Sequence, residues 1–124
     1  MNRSVHPLPG FSRRSAERLD STARTVVVEQ TVTVCSATTV RAVESCLTAD
    51  RTLKSGAGWT DRFIYPPYTF RVTERLLTNF QLPRSTLLIL VAAFGGIDLI
   101  RYAYEEAIRE EYRLFAFGDA MLIV

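Results

Sequence analysis

Hydrophobic and polar positions change period several times along the chain, and each change predicts an element. TVVVEQTVTVC (Thr25 to Cys35) is β-branched and partly alternating, which predicts one strand. In SATTVRAVESCLTA, Val40, Val43 and Leu47 recur at helical spacing with Ala42 and Cys46 beside them. A helix is therefore expected there, capped by Ser36 or Thr38. WTDRFIYPPYTFRV gives two short aromatic segments broken by Pro66-Pro67. Neither proline donates a ladder hydrogen bond, so the pair marks a sheet edge or a turn. RLLTNF (Arg75 to Phe80) predicts another strand. Pro83 ends the connection, and Ser85 is placed to cap a helix over Thr86 to Phe94, stopped by Gly95-Gly96.

Asp98 to Tyr112 carry the clearest helical pattern. Ile100, Ala103, Tyr104, Ala107 and Ile108 share one face, while Glu105, Glu106, Glu110 and Glu111 lie largely on the other. Glu105 and Arg109 stand at favourable i, i+4 spacing. LFAFGDAMLIV closes the pattern as two apolar pieces around a turn at Gly118-Asp119. Residues 1–24 sustain neither period and are expected to form a mobile tail with a short helix, and DRTLKSGAG reads as a loop. Strands alternating with helices give an α/β class with a mixed sheet and packed helices, occupying residues 25–124.

Composition changes this picture little. The 124 residues suffice for one domain with a modest core, and 48% apolar with 23% charged is ordinary for a globular protein. A net charge of +2 does not argue for nucleic acid by itself. Its placement is uneven, since Arg3, Arg13, Arg14, Arg18 and Arg24 face only Glu17 and Asp20 in the first 24 residues. Lys54 is the single lysine, so positive charge is nearly all guanidinium, which suits bidentate contacts to phosphate or carboxylate and also fits codon bias. Cys35 and Cys46 are too far apart for a C-x-x-C pair, and His6 is remote from both, so no zinc site is expected. Two thiols suit a reducing cytoplasm. The longest apolar run, Leu87 to Phe94, falls well short of the ~20 residues that span a bilayer, so no membrane association is expected.

Four motifs occur in order: ATTVRAVES, GWTDRFIYPPYTF, LLTNFQLPRSTLLILVAAFGG and AYEEAIREEYRLFAFGDAMLI. Together they resemble the C-terminal part of the S-adenosylmethionine:tRNA ribosyltransferase-isomerases of queuosine biosynthesis. The likeness covers roughly residues 34–123 and is strongest from Gly58 to Ile123; ordered motifs are far more specific than one alone. The resemblance implies a partial domain of a larger two-domain enzyme, α/β plus β-barrel. It implies transfer of the ribosyl part of S-adenosylmethionine to 7-aminomethyl-7-deazaguanine at the wobble position of tRNA. The ribosyl unit rearranges to an epoxycyclopentanediol, adenine and methionine leave, and epoxyqueuosine forms. The implied partners are tRNA and S-adenosylmethionine, the latter as substrate, together with a separate N-terminal half. No metal or other cofactor is implied, and the implied location is cytoplasmic.

Two departures from the family pattern stand out. The family reads N-F-H-L-P where this chain has Gln81, and glutamine hydrogen-bonds but moves no proton. The family's G-T-T has one more residue before the arginine than ATTVR supplies, and one residue turns a helix by about 100°.

The candidate catalytic positions are Gln81 and Asp119, the latter a carboxylate able to face a sulfonium or take a proton. The candidate substrate-binding positions are Asn79, Arg84, Ser85, Thr86, Tyr65, Arg113, Thr38 and Arg41. Each has a plainer role beside it. Ser85 and Thr86 open a helix whether or not they hold an anion. Asn79, Gln81 and Asp119 suit turn hydrogen bonds. Tyr65, with Tyr68 and Phe70, suits either cation–π contact or a core, and Arg113 complements a helix dipole. Three readings stay open: an active family fragment, an inactive truncated remnant, and a non-catalytic module binding S-adenosylmethionine or tRNA.

Overall fold

A computed structural model describes residues 5–8, 25–28, 31–49 and 59–124. The expected helix within residues 12–24, the loop at 50–58, Lys54 and Arg3, Arg13, Arg14, Arg18 and Arg24 lie outside the described residues. Among the described residues five strands form one mixed sheet: β1 (Val5–Leu8), β2 (Thr25–Val28), β3 (Thr31–Cys35), β4 (Arg75–Asn79) and β5 (Ala120–Ile123), in the order β1-β5-β4-β3-β2. Three helices accompany it among those residues: α1 (Ala37–Ser45), α2 (Thr86–Gly95) and α3 (Ile97–Arg109). The α/β class with a mixed sheet is as the pattern predicts.

The single strand expected over Thr25 to Cys35 is instead a hairpin. β2 and β3 pair antiparallel, Val28 opposite Thr31, on either side of Glu29 and Gln30. Those two polar residues interrupt the β-branched run in the sequence, and the pieces on either side pair as two strands of ordinary length. β3 and β4 pair in parallel, with Val34 opposite Leu76. α1 lies in the long connection between them, as a parallel pair requires. β5 runs antiparallel to β4, Leu76 opposite Ile123 and Asn79 opposite Ala120. Val5–Leu8, expected within the tail, lies beside β5 as β1, with Val5 opposite Ile123.

The helices begin where their caps stand. Ser36 accepts the Thr38 N–H at its Oγ (3.3 Å), and Ser85 Oγ accepts the Leu88 N–H (3.2 Å). Gly96, at φ 89, ends α2 and opens α3, a backbone state that favours glycine. α3 ends at Arg109 rather than Tyr112, because Glu110 turns out of the helix and Glu111 takes φ 56. Ion pairing along α3 also differs from expectation. Arg109 reaches Glu106 and Glu110, while Glu105 pairs with Arg101 at 3.2 Å. No single helix among the described residues is long and apolar enough to cross a membrane.

One core joins sheet and helices. Val34, Leu76, Met121 and Ile123 come from strands, Val40 from α1, Leu90, Val91 and Phe94 from α2, and Ile100 and Ala107 from α3. Ile64 and Phe80 enter from irregular segments. Ile108, expected on the inner face of α3, is instead exposed.

Candidate functional site

The site residues gather where β4 ends. Leu76 and Thr78 are buried on one side of that strand, Asn79 is half-buried, and the chain then continues through Phe80 and Gln81, both buried. The stretch before β5 clamps this strand end. The Phe80 N–H donates to the Asp119 carbonyl (3.3 Å), and the Phe115 N–H donates to the Phe80 carbonyl (2.7 Å). Phe80 itself is set between two rings, Tyr104 at 5.2 Å and Tyr112 at 5.8 Å, both edge-on.

The polar side chains of this corner hydrogen-bond to the backbone and to one another. Gln81 Nε2 donates to Thr78 Oγ1 (3.0 Å) and to the Asn79 carbonyl (3.2 Å). Its backbone N–H donates to the Tyr104 hydroxyl at 2.6 Å. Asn79 Nδ2 donates to the carbonyls of Gly118 (3.3 Å) and Asp119 (3.4 Å). Asp119 Oδ2 accepts the Arg113 N–H at 2.8 Å, and the Asp119 N–H returns a bond to the Arg113 carbonyl at 2.9 Å. The Arg113 guanidinium lies 3.8 Å from the same carboxylate and is otherwise exposed. Asn79, Gln81, Arg113 and Asp119 thus form one corner, although their elements are some forty positions apart in sequence. Burial pushes the Tyr104 hydroxyl up from 10.0 to about 12, against a smaller lowering by the Gln81 N–H it accepts.

Two helix starts flank this corner. The Ser36 N–H donates to the Leu77 carbonyl (2.8 Å), which brings the N-terminus of α1 to the end of β4. Crevices outside the carboxyl ends of parallel strands are common ligand positions in α/β proteins, and β3 and β4 supply such an edge. Thr38 is exposed on the first turn of α1. At the start of α2, Arg84 and Thr86 are exposed, with Arg84 at φ 60. The Ser85 hydroxyl is occupied as a cap, donating to the Leu82 carbonyl (2.8 Å) as well as accepting from Leu88.

Two predicted positions make their contacts elsewhere. Arg41 Nε donates to the Arg62 carbonyl (3.0 Å), tying α1 to the segment after residue 58. Tyr65 is exposed, with its ring against Phe63 at 5.6 Å. Tyr68 and Phe70 are packed on the core, Phe70 against Phe94 at 4.8 Å.

Two important side chains were not singled out from the sequence. Tyr104 anchors Gln81 from α3, yet on the helical pattern it is one more inner-face residue. Glu44 is fully buried on α1. Its carboxylate accepts three backbone N–H groups, those of Arg71 (3.1 Å), Val72 (3.0 Å) and Thr73 (3.0 Å). The available signal was an acid on the buried stripe with Ala37 and Val40. Among the described residues no group of three or more His, Cys, Asp or Glu side chains is placed to hold a metal ion.

Comparison with known proteins bears on the family and the fold. A family model described as a queuosine biosynthesis protein matches residues 12–123, beginning upstream of the motifs. An S-adenosylmethionine:tRNA ribosyltransferase-isomerase of Nitrosomonas europaea is 61% identical over 87 residues, covering 69% of this chain and 25% of that protein. The protein of the same name from Nitratidesulfovibrio vulgaris is 46% identical over 109 residues, covering 88% of this chain and 29% of that protein. The crystal structure of S-adenosylmethionine tRNA ribosyltransferase from Thermotoga maritima superposes with a TM-score of 0.65 at 40% identity, covering 95% of this chain and 40% of that one. The chain therefore spans about a quarter of the length of the curated relatives it matches.

Proposed function

Because the chain belongs to the queuosine biosynthesis protein family, we propose that it carries one wall of a ribosyltransferase-isomerase site. That site transfers and isomerises the ribosyl part of S-adenosylmethionine on 7-aminomethyl-7-deazaguanine in tRNA, to give epoxyqueuosine, in the cytoplasm. The observation that carries this reading is the corner of Asn79, Gln81, Arg113 and Asp119 between two helix N-termini. Asp119 is held in orientation by the Arg113 N–H, so its charge faces a fixed direction. A fixed carboxylate stabilises a sulfonium donor without reorganising during reaction. Arg113, exposed beside it, and Arg84, exposed ahead of α2, offer guanidinium forks to a substrate carboxylate or to tRNA phosphate.

Gln81 does not move a proton. Its amide is spent on Thr78 and Asn79, so it shapes the strand end rather than the chemistry. This observation favours a second reading, in which the chain binds S-adenosylmethionine or tRNA without turnover. A site assembled from several segments also needs all of them in place, so catalysis requires the family portion this chain does not span. The test is epoxyqueuosine formation on tRNA carrying the precursor base, with the chain alone and with that portion supplied. Product in the supplied mixture, raised further by Gln81→His, is the expected result. Saturable binding without product under any condition would establish the module instead, and neither binding nor product would sink both readings.

A further inference from the structure

Resting on the family reading, we infer that the segment Trp59–Tyr65 is a stacking strip for single-stranded RNA, seating loop bases that flank the target base. Two contacts set its course along α1. The Ser45 and Thr60 hydroxyls meet at 2.8 Å, and Arg41 Nε donates to the Arg62 carbonyl at 3.0 Å. Two residues of the segment therefore advance about as far as four residues of the helix, roughly 6 Å. That is the pace of an extended chain, and it runs antiparallel to α1. Side chains of an extended chain alternate between two faces. Here Arg62 is half-buried and Ile64 enters the core, while Asp61, Phe63 and Tyr65 are exposed. Trp59, the chain's one tryptophan, is fully exposed at the start of the strip. The Phe63 and Tyr65 rings stand 5.6 Å apart.

Three observations choose the occupant. First, polar groups lie among the rings. Ser45, Thr60, Asp61 and Arg62 line, with Trp59, a polar hollow of about 340 Å³. An apolar protein segment packed there would leave those groups unpaired, at a cost. A base stacked on the indole instead turns its own donors and acceptors toward the hydroxyls and the carboxylate. Second, the charge suits a phosphate backbone. The guanidiniums of Arg41, Arg62 and Arg71 outnumber the Asp61 carboxylate along the strip. Arg71 is exposed, and its N–H is held by Glu44, the neighbour of Ser45. The Glu44 carboxylate itself is buried on backbone N–H groups. Third, the strip leads to the site. At the same pace, Tyr65 falls level with the first turn of α1. The Ser36 N–H ties that helix start to the Leu77 carbonyl at the end of β4 (2.8 Å). A strand stacked along Trp59, Phe63 and Tyr65 thus brings its next base to the candidate corner.

The experiment titrates the full 124-residue chain with an anticodon stem-loop RNA carrying the precursor base and reads the fluorescence of Trp59. The same stem closed into an uninterrupted duplex is the comparison. A base stacked on the indole quenches it, so the expected result is saturable quenching by the stem-loop and little by the duplex. Phe63→Ala and Tyr65→Ala, which keep the tryptophan as probe, each weaken binding at least about fivefold. Phe63→Tyr keeps a π face and binds as the parent does, and so does Tyr102→Ala on α3. All four change exposed side chains, and far-ultraviolet circular dichroism checks their fold. No quenching, equal quenching by the duplex, or alanine variants that bind like the parent would each overturn the inference. So would displacement of the RNA from Trp59 on adding the family portion this chain does not span, since the strip would then be a contact within a protein. Product formation is read separately. Quenching without epoxyqueuosine leaves the strip standing and removes the catalytic reading alone. Product formed by the alanine variants at the parent's KM for tRNA removes the strip alone.

Discussion

Replacing Glu44 tests how α1 holds the segment that leads into β4. The carboxylate is wholly buried and accepts three N–H groups, two at Oε1 from Val72 and Thr73 and one at Oε2 from Arg71. Glutamine keeps one acceptor oxygen and turns an NH2 toward the third donor. Hydrogen bonds to a charged acceptor contribute roughly 1.5–3 kcal/mol and neutral ones roughly 0.5–1.5 kcal/mol. Losing one bond and weakening two therefore costs about 3–5 kcal/mol before the easier burial of a neutral amide is counted. That easier burial returns part of the loss, and the net expectation is about 2–3 kcal/mol. Alanine abandons all three donors and leaves a cavity, for about 4–5 kcal/mol. With urea slopes of about 1–3 kcal/mol per molar for small domains, Glu44→Gln lowers the unfolding midpoint by about 0.7–3 M. Hydrogen exchange at the Thr73 amide should quicken in step, since that donor is the most deeply buried of the three. A Glu44→Gln midpoint equal to the parent, or an alanine variant no worse than the glutamine one, would refute the argument that these three bonds hold the segment.

Other expectations follow from the corner itself. Gly118 has no room for a side chain, since a Cβ there would lie 2.2 Å from the Arg113 carbonyl oxygen. Gly118→Ala should therefore break the reciprocal Arg113–Asp119 bonds and abolish ligand binding while the far-ultraviolet spectrum persists; unchanged binding would contradict it. Tyr104 has a folded-state pKa raised to about 12, so the folded chain holds that proton more tightly than the unfolded chain does. Its contribution is complete below pH 10 and is lost as pH rises toward 12. The two units amount to at most roughly 2.7 kcal/mol, and partial exposure brings this to roughly 1–2 kcal/mol. Urea titrations at pH 9 and pH 11 should show about half of that loss, roughly 0.5–1 kcal/mol, in the parent beyond any seen in Tyr104→Phe; equal losses would count against it.

The three helices were legible in the sequence because each rests on local signals. Ser36 and Ser85 cap α1 and α2, Gly96 separates α2 from α3, and apolar spacing marks their inner faces. The hairpin of β2 and β3 was not legible. The sequence between the two strands carries no glycine or asparagine of the kind that usually announces a hairpin, and β-branched residues on both sides concealed the break. The inner face of α3 was read too wide, since Ala103 is only half-buried and Ile108 is exposed despite the right spacing. Within the candidate site, Asn79, Gln81, Arg113 and Asp119 were named from motifs, but their convergence depends on β5 pairing with β4 across the whole second half. Arg41 and Tyr65 were named by the same logic, and their contacts are to the Arg62 carbonyl and the Phe63 ring, which type and spacing do not state. Glu44 shows the opposite failure, since nothing local reveals three waiting N–H groups some thirty positions away.

The strand order carries one further consequence. β1 covers the outer side of β5, pairing residues that stand 118 positions apart, Val5 with Ile123. Without that cover the strand Ala-Met-Leu-Ile would present an open row of amide and carbonyl groups on an apolar ribbon, the kind of edge that recruits further strands from other molecules. Pro7, set opposite Met121, donates no backbone hydrogen bond, which is tolerable only where no strand lies beyond. Val5–Leu8 thus occupy the edge of β5 that would otherwise stand open. A version starting after Leu8 should keep its helices by circular dichroism and self-associate more than the parent by sedimentation velocity; equal sedimentation would contradict it.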